Sequence, residues 1–357
     1  MSNRLTFNRR TLLTGAVATT GTMLFAPGYL RKAYAARTLN VGYNPGALDA
    51  ATVNFATPFT EATGIPVQLV ARRDNPATEI QVQAQSGSYQ FDVTGAITGD
   101  VYWQVAQYCE PLDLSVPAIA ALPDYSKETG WVGYGTVAYM MAYQTEMFPD
   151  RALVWEDLLD TAGTPGSRAL RKRVNENVEL AVRLLGVAPA DIYTFLSTDD
   201  GWNQVFAKLD ELKPVTDIWW DSDSQVLPLL ANGTLAIAPE YNVDIAEVVA
   251  DGGKISLNWD RGFFFANGFV VPKGTPNADI AQQFIAFALD PQRMAGFCTA
   301  TGYGPTVPGS IDFVDPKVAE GMPTAPANLA QIAPVSAKFW SENVERAATR
   351  FNEWLLA

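Results

Sequence analysis

Hydrophobic and polar positions in the first third of the chain recur with the periods of short strands and amphipathic helices. Apolar runs of four to six residues alternate with longer stretches in which apolar residues return every three or four positions. The predicted elements are strands at residues 38–43, 65–70 and 91–94 and helices at 48–62 and 79–85. Because strands and helices alternate, this segment predicts a parallel, doubly wound α/β lobe.

Two long apolar segments separate this lobe from a second one. Residues 135–143 form an apolar strand that carries the chain away from the first lobe, and residues 263–272 are interpreted as the return crossing. The intervening and following elements are helices at 178–185, 202–212, 279–289 and 341–356 and a strand at 235–238. The predicted fold class is therefore α/β, with two doubly wound lobes joined by crossing strands.

The first 35 residues have the layout of an export signal. Arg9 and Arg10 precede an uncharged run from Thr11 to Leu30, and a small-x-small tripeptide ends at Ala35. This order predicts a twin-arginine signal peptide and a periplasmic protein. The alternative, a permanent membrane anchor, is disfavoured because glycines and a proline interrupt the run.

Chain length supports two lobes. The chain has 357 residues, of which 48% are hydrophobic, and that is more than a single core usually holds. The predicted units are the signal peptide at 1–35, a first lobe at 36–136 plus 266–311, and a second lobe at 137–265 plus 312–357.

Composition excludes several classes of function. The formal net charge is −13, and it becomes −18 without residues 1–35, which carry five basic and no acidic residues. Nucleic acid and anionic membranes are therefore not expected partners. The chain has no histidine, so it lacks the commonest general base and the commonest transition-metal ligand. We expect no catalytic residues, metal or cofactor. Cys109 and Cys298 either pair or stay free and buried.

Four aromatic residues lie where a predicted strand ends or turns beside glycine or proline. They are Tyr134, Tyr241, Phe265 and Tyr303. Aromatic residues inside strands normally belong to the core, whereas at strand ends of an α/β lobe they can line a cleft. The pattern leaves both interpretations open.

The order of segments resembles a known family. It comprises the export signal, the doubly wound lobe, residues 155–158 (WEDL), 232–238 (NGTLAIA), 270–272 (VVP) and 301–306 (TGYGPT). The chain is similar to extracellular solute-binding proteins of family 1, of the spermidine/putrescine-binding type. This resemblance implies a type II periplasmic binding protein: a monomeric receptor subunit of an ABC importer that closes two lobes on a ligand, performs no chemistry and docks on a membrane permease.

The resemblance also implies ligand contacts. Matching motifs place Tyr241, Phe265 and Tyr303 as aromatic walls. Glu176 and Ser222 fall on further contact positions, and Thr98 lies near another, in the loop after the third strand. The loop after the first strand, at Asn44, lacks the aromatic residue expected in a polyamine receptor.

Departures from the polyamine pattern change the predicted ligand. Asn267 replaces an acidic residue, and residues 171–173 (Arg-Lys-Arg) stand where that type of receptor carries acidic residues. A guanidinium suits a bidentate grip on a carboxylate. We therefore expect a small anionic or zwitterionic solute, such as an ω-amino acid, held by Arg173 or Arg171, with Glu176 or Asp100 accepting any ammonium.

Four alternatives remain open. The basic segment 171–173 could be a solvent-facing loop. The protein could be a polyamine receptor, or a ferric-ion receptor that uses Tyr241 and Tyr303 as phenolate ligands. An exported hydrolase is the fourth, although no nucleophile and base can be assembled for it without histidine.

Overall fold

The structure is a computed structural model that describes residues 37–72 and 76–357. The predicted signal peptide, residues 1–35, lies outside the described residues. The strands are β1 Leu39–Tyr43, β2 Val67–Ala71, β3 Val93–Thr98, β4 Lys127–Glu128, β5 Trp131–Gln144, β6 Ala169–Arg171, β7 Ile218–Trp220, β8 Glu240–Tyr241, β9 Ile255–Val270, β10 Gly304–Pro305 and β11 Ala333–Pro334.

The helices surround these strands. The α-helices are α1 Leu48–Ala51, α2 Thr57–Thr63, α3 Pro76–Ser86, α4 Gly99–Val105, α5 Pro117–Ala120, α6 Val174–Leu184, α7 Ile192–Phe195, α8 Asp199–Leu212, α9 Asp223–Ala231, α10 Asn242–Ala250, α11 Ala278–Ala288, α12 Pro291–Thr301, α13 Pro316–Ala319, α14 Pro326–Leu329 and α15 Ala337–Leu356. A π-helical turn, Thr52–Ala56, joins α1 to α2. Short 3-10 helices occupy Pro45–Ala47, Ala106–Tyr108, Asp124–Ser126, Trp155–Leu158, Pro189–Asp191, Lys213–Val215 and Ser310–Phe313.

The central sheet is mixed. Its strand order is β10-β5-β9-β3-β1-β2, with β4 and β8 on β5 and β11 on β9. Strand β1 pairs in parallel with β2 and β3, as the alternation of strands and helices predicts. Strand β9 runs antiparallel to both β3 and β5, because it brings the chain back from the far side of the molecule.

The two longest strands connect two cores. Strands β5 and β9 pair from Val132 opposite Phe269 to Gln144 opposite Ile255. Strand β5 is buried along almost its whole length, which explains its continuous apolar sequence. The predicted α/β fold with crossing strands is confirmed.

Two large apolar clusters lie at opposite ends of these strands. The first core includes Phe55, Phe269 and Phe297, and the second core includes Trp155 and Trp340. Val314 and Met322 pack in the first core, although the predicted boundaries assign them to the second lobe. Within residues 37–72 and 76–357, no helix combines the length and the apolar composition that a membrane-spanning segment needs.

One local feature differs from the sequence prediction, and another decides between two alternatives that the sequence left open. The predicted strand at 235–238 contributes only isolated bridges, from Ile237 to Tyr143 and to Arg168, next to the two-stranded parallel sheet β6–β7. Cys109 and Cys298 are both free and buried, in different apolar clusters. Burial raises the pKa of Cys109 to about 12, so its thiol is protonated at neutral pH.

Candidate functional site

A cavity of about 280 Å³ opens where the first and second cores face each other. Eight predicted site residues line it: Thr98, Asp100, Arg171, Arg173, Tyr241, Phe265, Asn267 and Tyr303. Ligand pockets usually measure about 300–1,000 Å³, so this volume suits a small solute.

The sheet brings the first group of these residues together. Thr98 ends β3 and lies directly opposite Asn267 on β9. Asp100 follows in the first turn of α4. Tyr303 precedes β10 and packs over Gly135 of β5, where an added Cβ atom would lie only 3.0 Å from the tyrosine ring. These residues approach the cavity from the side of the first core.

The basic segment 171–173 alternates between the cavity and the surface, as an extended chain requires. Arg171 and Arg173 face the cavity, whereas Lys172 points away and forms an ion pair with Asp221 at 2.9 Å. The guanidinium carbon of Arg171 lies 4.8 Å from the ring centroid of Trp220 and 5.8 Å from that of Tyr241. Arg171 is therefore buried and held in place by two rings, whereas Lys172 and Arg173 remain exposed to solvent.

Glu176 is buried next to the two arginines. Its side chain is only 1% exposed, and its Oε1 atom is 3.9 Å from Arg171 and 3.4 Å from Arg173. The Tyr241 hydroxyl donates to the same oxygen at 2.7 Å. Burial raises the pKa of Glu176, while the two guanidinium groups and the tyrosine oppose that rise. Glu176 is not among the residues that line the cavity, and its role as an ammonium acceptor stays a prediction.

Three aromatic side chains form the walls of the cavity. The rings of Tyr241 and Phe265 lie 6.1 Å apart, and Tyr303 faces them from the first core. Burial raises the pKa of Tyr303 to about 12 and the pKa of Tyr241 well above its usual range. Both hydroxyls are therefore protonated at neutral pH. In the described part of the chain, no three His, Cys, Asp or Glu side chains are grouped as metal ligands.

The structure places three other predicted residues outside this cavity. Tyr134 is fully buried in the first core, so the prediction that it walls the cleft is wrong. Ser222 is exposed, and its hydroxyl lies 2.9 Å from that of Ser224. Asn44 accepts a hydrogen bond from Arg72 and lines a separate, adjoining cavity of about 730 Å³.

Sequence reasoning missed four residues that line the cavity: Val137, Asn175, Val243 and Asp244. Asn175 lies between Arg173 and Glu176, so its position two residues beyond the basic segment was a usable signal. Asp244 belongs to the first turn of α10, three residues after Tyr241. It places a second carboxylate, besides Asp100, on the cavity wall.

Comparisons with known proteins identify what the chain is similar to. The family model for bacterial extracellular solute-binding proteins matches residues 54–329. A Pseudomonas aeruginosa relative called a gamma-aminobutyric acid-binding protein is 36% identical over 215 residues, which is 60% of this chain. The chain matches 61% of that relative's length.

Solved structures are also similar to this chain. An ABC transporter substrate-binding protein from Bradyrhizobium japonicum USDA 110 superposes with a TM-score of 0.80 at 29% identity, covering 89% of this chain and 99% of that one. The Atu4243-GABA receptor superposes with a TM-score of 0.77 at 26% identity, covering 89% and 98%. The predicted resemblance to solute-binding proteins is confirmed.

Proposed function

The chain belongs to the bacterial extracellular solute-binding proteins, and we propose that it captures a small ω-amino acid, such as γ-aminobutyric acid (GABA), for an ABC importer. The observation that carries this proposal is the charge arrangement of one small cavity. Arg171 and Arg173 supply guanidinium groups, while Asp100 and Asp244 supply carboxylates. A zwitterion with separated charges matches both sets.

The arginines suit the carboxylate end of such a ligand. Arg171 is held between Trp220 and Tyr241 and above the buried Glu176, so little side-chain freedom is lost when it grips an anion. Arg173 is half exposed and adds a second set of donors. Asn175 and Asn267 add amide groups at the same cavity.

The carboxylates and rings suit the rest of the ligand. Asp100 and Asp244 accept the ammonium group, and Tyr241, Phe265 and Tyr303 cover the methylene chain. Two similar proteins support this choice: the P. aeruginosa relative is called a GABA-binding protein, and the 26%-identical solved structure is a GABA receptor.

Binding works by population shift. A ligand that touches residues from both cores has more contacts when the lobes are closed, so it favours the closed state. A micromolar dissociation constant corresponds to about 8 kcal/mol, which a few charge-assisted hydrogen bonds and ring burial supply after association costs. We propose that the closed, monomeric protein then docks on an inner-membrane permease from the periplasmic side and catalyses no reaction.

Isothermal titration calorimetry with a ligand panel tests the proposal. The panel contains GABA, 5-aminovalerate, butyrate, putrescine, spermidine and an α-amino acid, titrated into residues 36–357 at neutral pH. We expect GABA or 5-aminovalerate to bind at least tenfold more tightly than butyrate or putrescine. Butyrate lacks the ammonium group, and putrescine lacks the carboxylate. Preference for putrescine or spermidine would replace the proposal with a polyamine receptor.

A further inference from the structure

Strand β3 contains one more residue than its partner at the point where it approaches the cavity. Thr94 lies opposite Val270 and Ile97 lies opposite Gly268, so three steps along β3 correspond to two along β9. This is a β-bulge. An extra residue in a strand changes which face every later side chain points to.

The packing of β3 shows this change of face. Val93 belongs to the first core, whereas Ile97 packs with Trp131 and Val270 in a different cluster. Residues four apart on a regular strand share one face, so Val93 and Ile97 could not separate without the bulge. Beyond it, Thr98 pairs with Asn267, and both side chains reach the cavity.

The bulge contains a left-handed residue that is not glycine. Ala96 has φ of +54°, a region that alanine rarely adopts. Its N–H donates to the Tyr134 hydroxyl at 2.8 Å, and its carbonyl accepts from Nη2 of Arg72 at 3.3 Å. Tyr134 and Arg72 are themselves buried. Two side chains therefore hold the backbone on either side of the strained Cα atom.

We propose that Tyr134 and Arg72 are positioning residues for ligand binding: they hold Ala96 in its left-handed conformation and so direct Thr98 into the cavity. This inference rests on the proposed function, because the cavity is taken as the ligand site. Tyr134 thus acts on the ligand site from within the first core, without lining the cavity. The start of α4, with Asp100, follows directly after Thr98.

Removal of the Tyr134 hydroxyl, alone and in combination with Ala96→Gly, tests the inference. Tyr134→Phe leaves the Ala96 N–H without its acceptor, and we expect GABA to bind about tenfold more weakly. Ala96→Gly adopts the same φ without strain. The double variant Tyr134→Phe/Ala96→Gly is therefore expected to bind within about twofold of Ala96→Gly alone.

Tyr102→Phe is the matched control. The Tyr102 hydroxyl also accepts a buried backbone N–H, that of Gly130 at 3.1 Å, whereas the Ala96 backbone is held by Tyr134 and Arg72. We expect this variant to lose a similar amount of stability and to keep wild-type affinity. Wild-type affinity in Tyr134→Phe, or weak binding that persists in the double variant, would overturn the inference.

Hydrogen exchange separates this inference from the proposed function. Amides 96–98 are expected to exchange faster in Tyr134→Phe than in Tyr102→Phe, whatever the ligand is. If the wild type binds no ω-amino acid, the proposed function fails while the exchange result still decides the role of Tyr134. If Tyr134→Phe does not fold, the double variant carries the test: recovered folding and binding support the inference, and their absence refutes it.

Discussion

Arg173→Ala is expected to weaken GABA binding about tenfold while leaving the protein folded. A hydrogen bond to a charged group contributes about 1.5–3 kcal/mol, and 1.4 kcal/mol corresponds to a factor of ten. The Arg173 side chain is 55% exposed, so solvent screening places its contribution at the low end of that range. Isothermal titration calorimetry at neutral pH measures the change directly.

Arg171→Ala is expected to have a larger effect, about a hundredfold. Its side chain is only 11% exposed, so its interaction with a carboxylate is less screened. This substitution also removes one of the two cations beside the buried Glu176, and we expect a lower melting temperature. The difference between the two arginine variants therefore follows from their burial.

Lys172→Ala is the control for both variants. Lys172 lies between the two arginines in sequence, but it points to the surface and pairs with Asp221. Its removal is expected to leave the affinity within about twofold of wild type. Wild-type affinity in Arg173→Ala, or an equal loss in Lys172→Ala, would refute the carboxylate grip.

Three further predictions follow from single residues. Asp244→Asn should weaken the binding of GABA about fivefold and that of butyrate hardly at all in calorimetry, because only GABA carries an ammonium group. Equal losses of affinity for both ligands would contradict this. Burial raises the pKa of Glu176 in the folded state, so the folded protein binds its proton more tightly than the unfolded chain. The free energy of unfolding should therefore fall as pH rises through about 4.3, the unfolded value, up to the raised pKa. Urea titrations should show a smaller fall in Glu176→Gln. Gly302→Ala should lose about 1 kcal/mol of stability, because Gly302 has φ of +72° and an added Cβ atom would lie 3.3 Å from Val243. Gly46→Ala is the control, because an added Cβ atom meets open space there.

Much of the fold could be predicted from periodicity. The alternation of strands and helices before Thr98 and the two crossing strands are strong local patterns, and the structure confirms them. The segment around Ile237 is as apolar as a strand, yet it forms only isolated bridges. Apolar residues there fill the second core without a continuous ladder, which hydrophobicity alone cannot distinguish from a buried strand.

The site was harder to predict, because sequence does not show which face a side chain takes. The pairing of β6 with β7, in which Arg171 lies opposite Trp220, determines which residues of the basic segment reach the cavity. Tyr134 and Tyr303 both lie beside glycine, but one is buried in the first core and the other lines the cavity. The bulge at Ala96, which directs Thr98, has no sequence signature because the left-handed residue is alanine instead of glycine.

A crystal structure of residues 36–357 with bound GABA would show whether this cavity holds the ligand and in which orientation. We expect the ligand carboxylate to lie within hydrogen-bond distance of Arg171 and Arg173 and the ammonium group to face Asp100 or Asp244. The rings of Tyr241, Phe265 and Tyr303 should surround the methylene chain. A ligand bound in the opposite orientation, or bound outside this cavity, would contradict it.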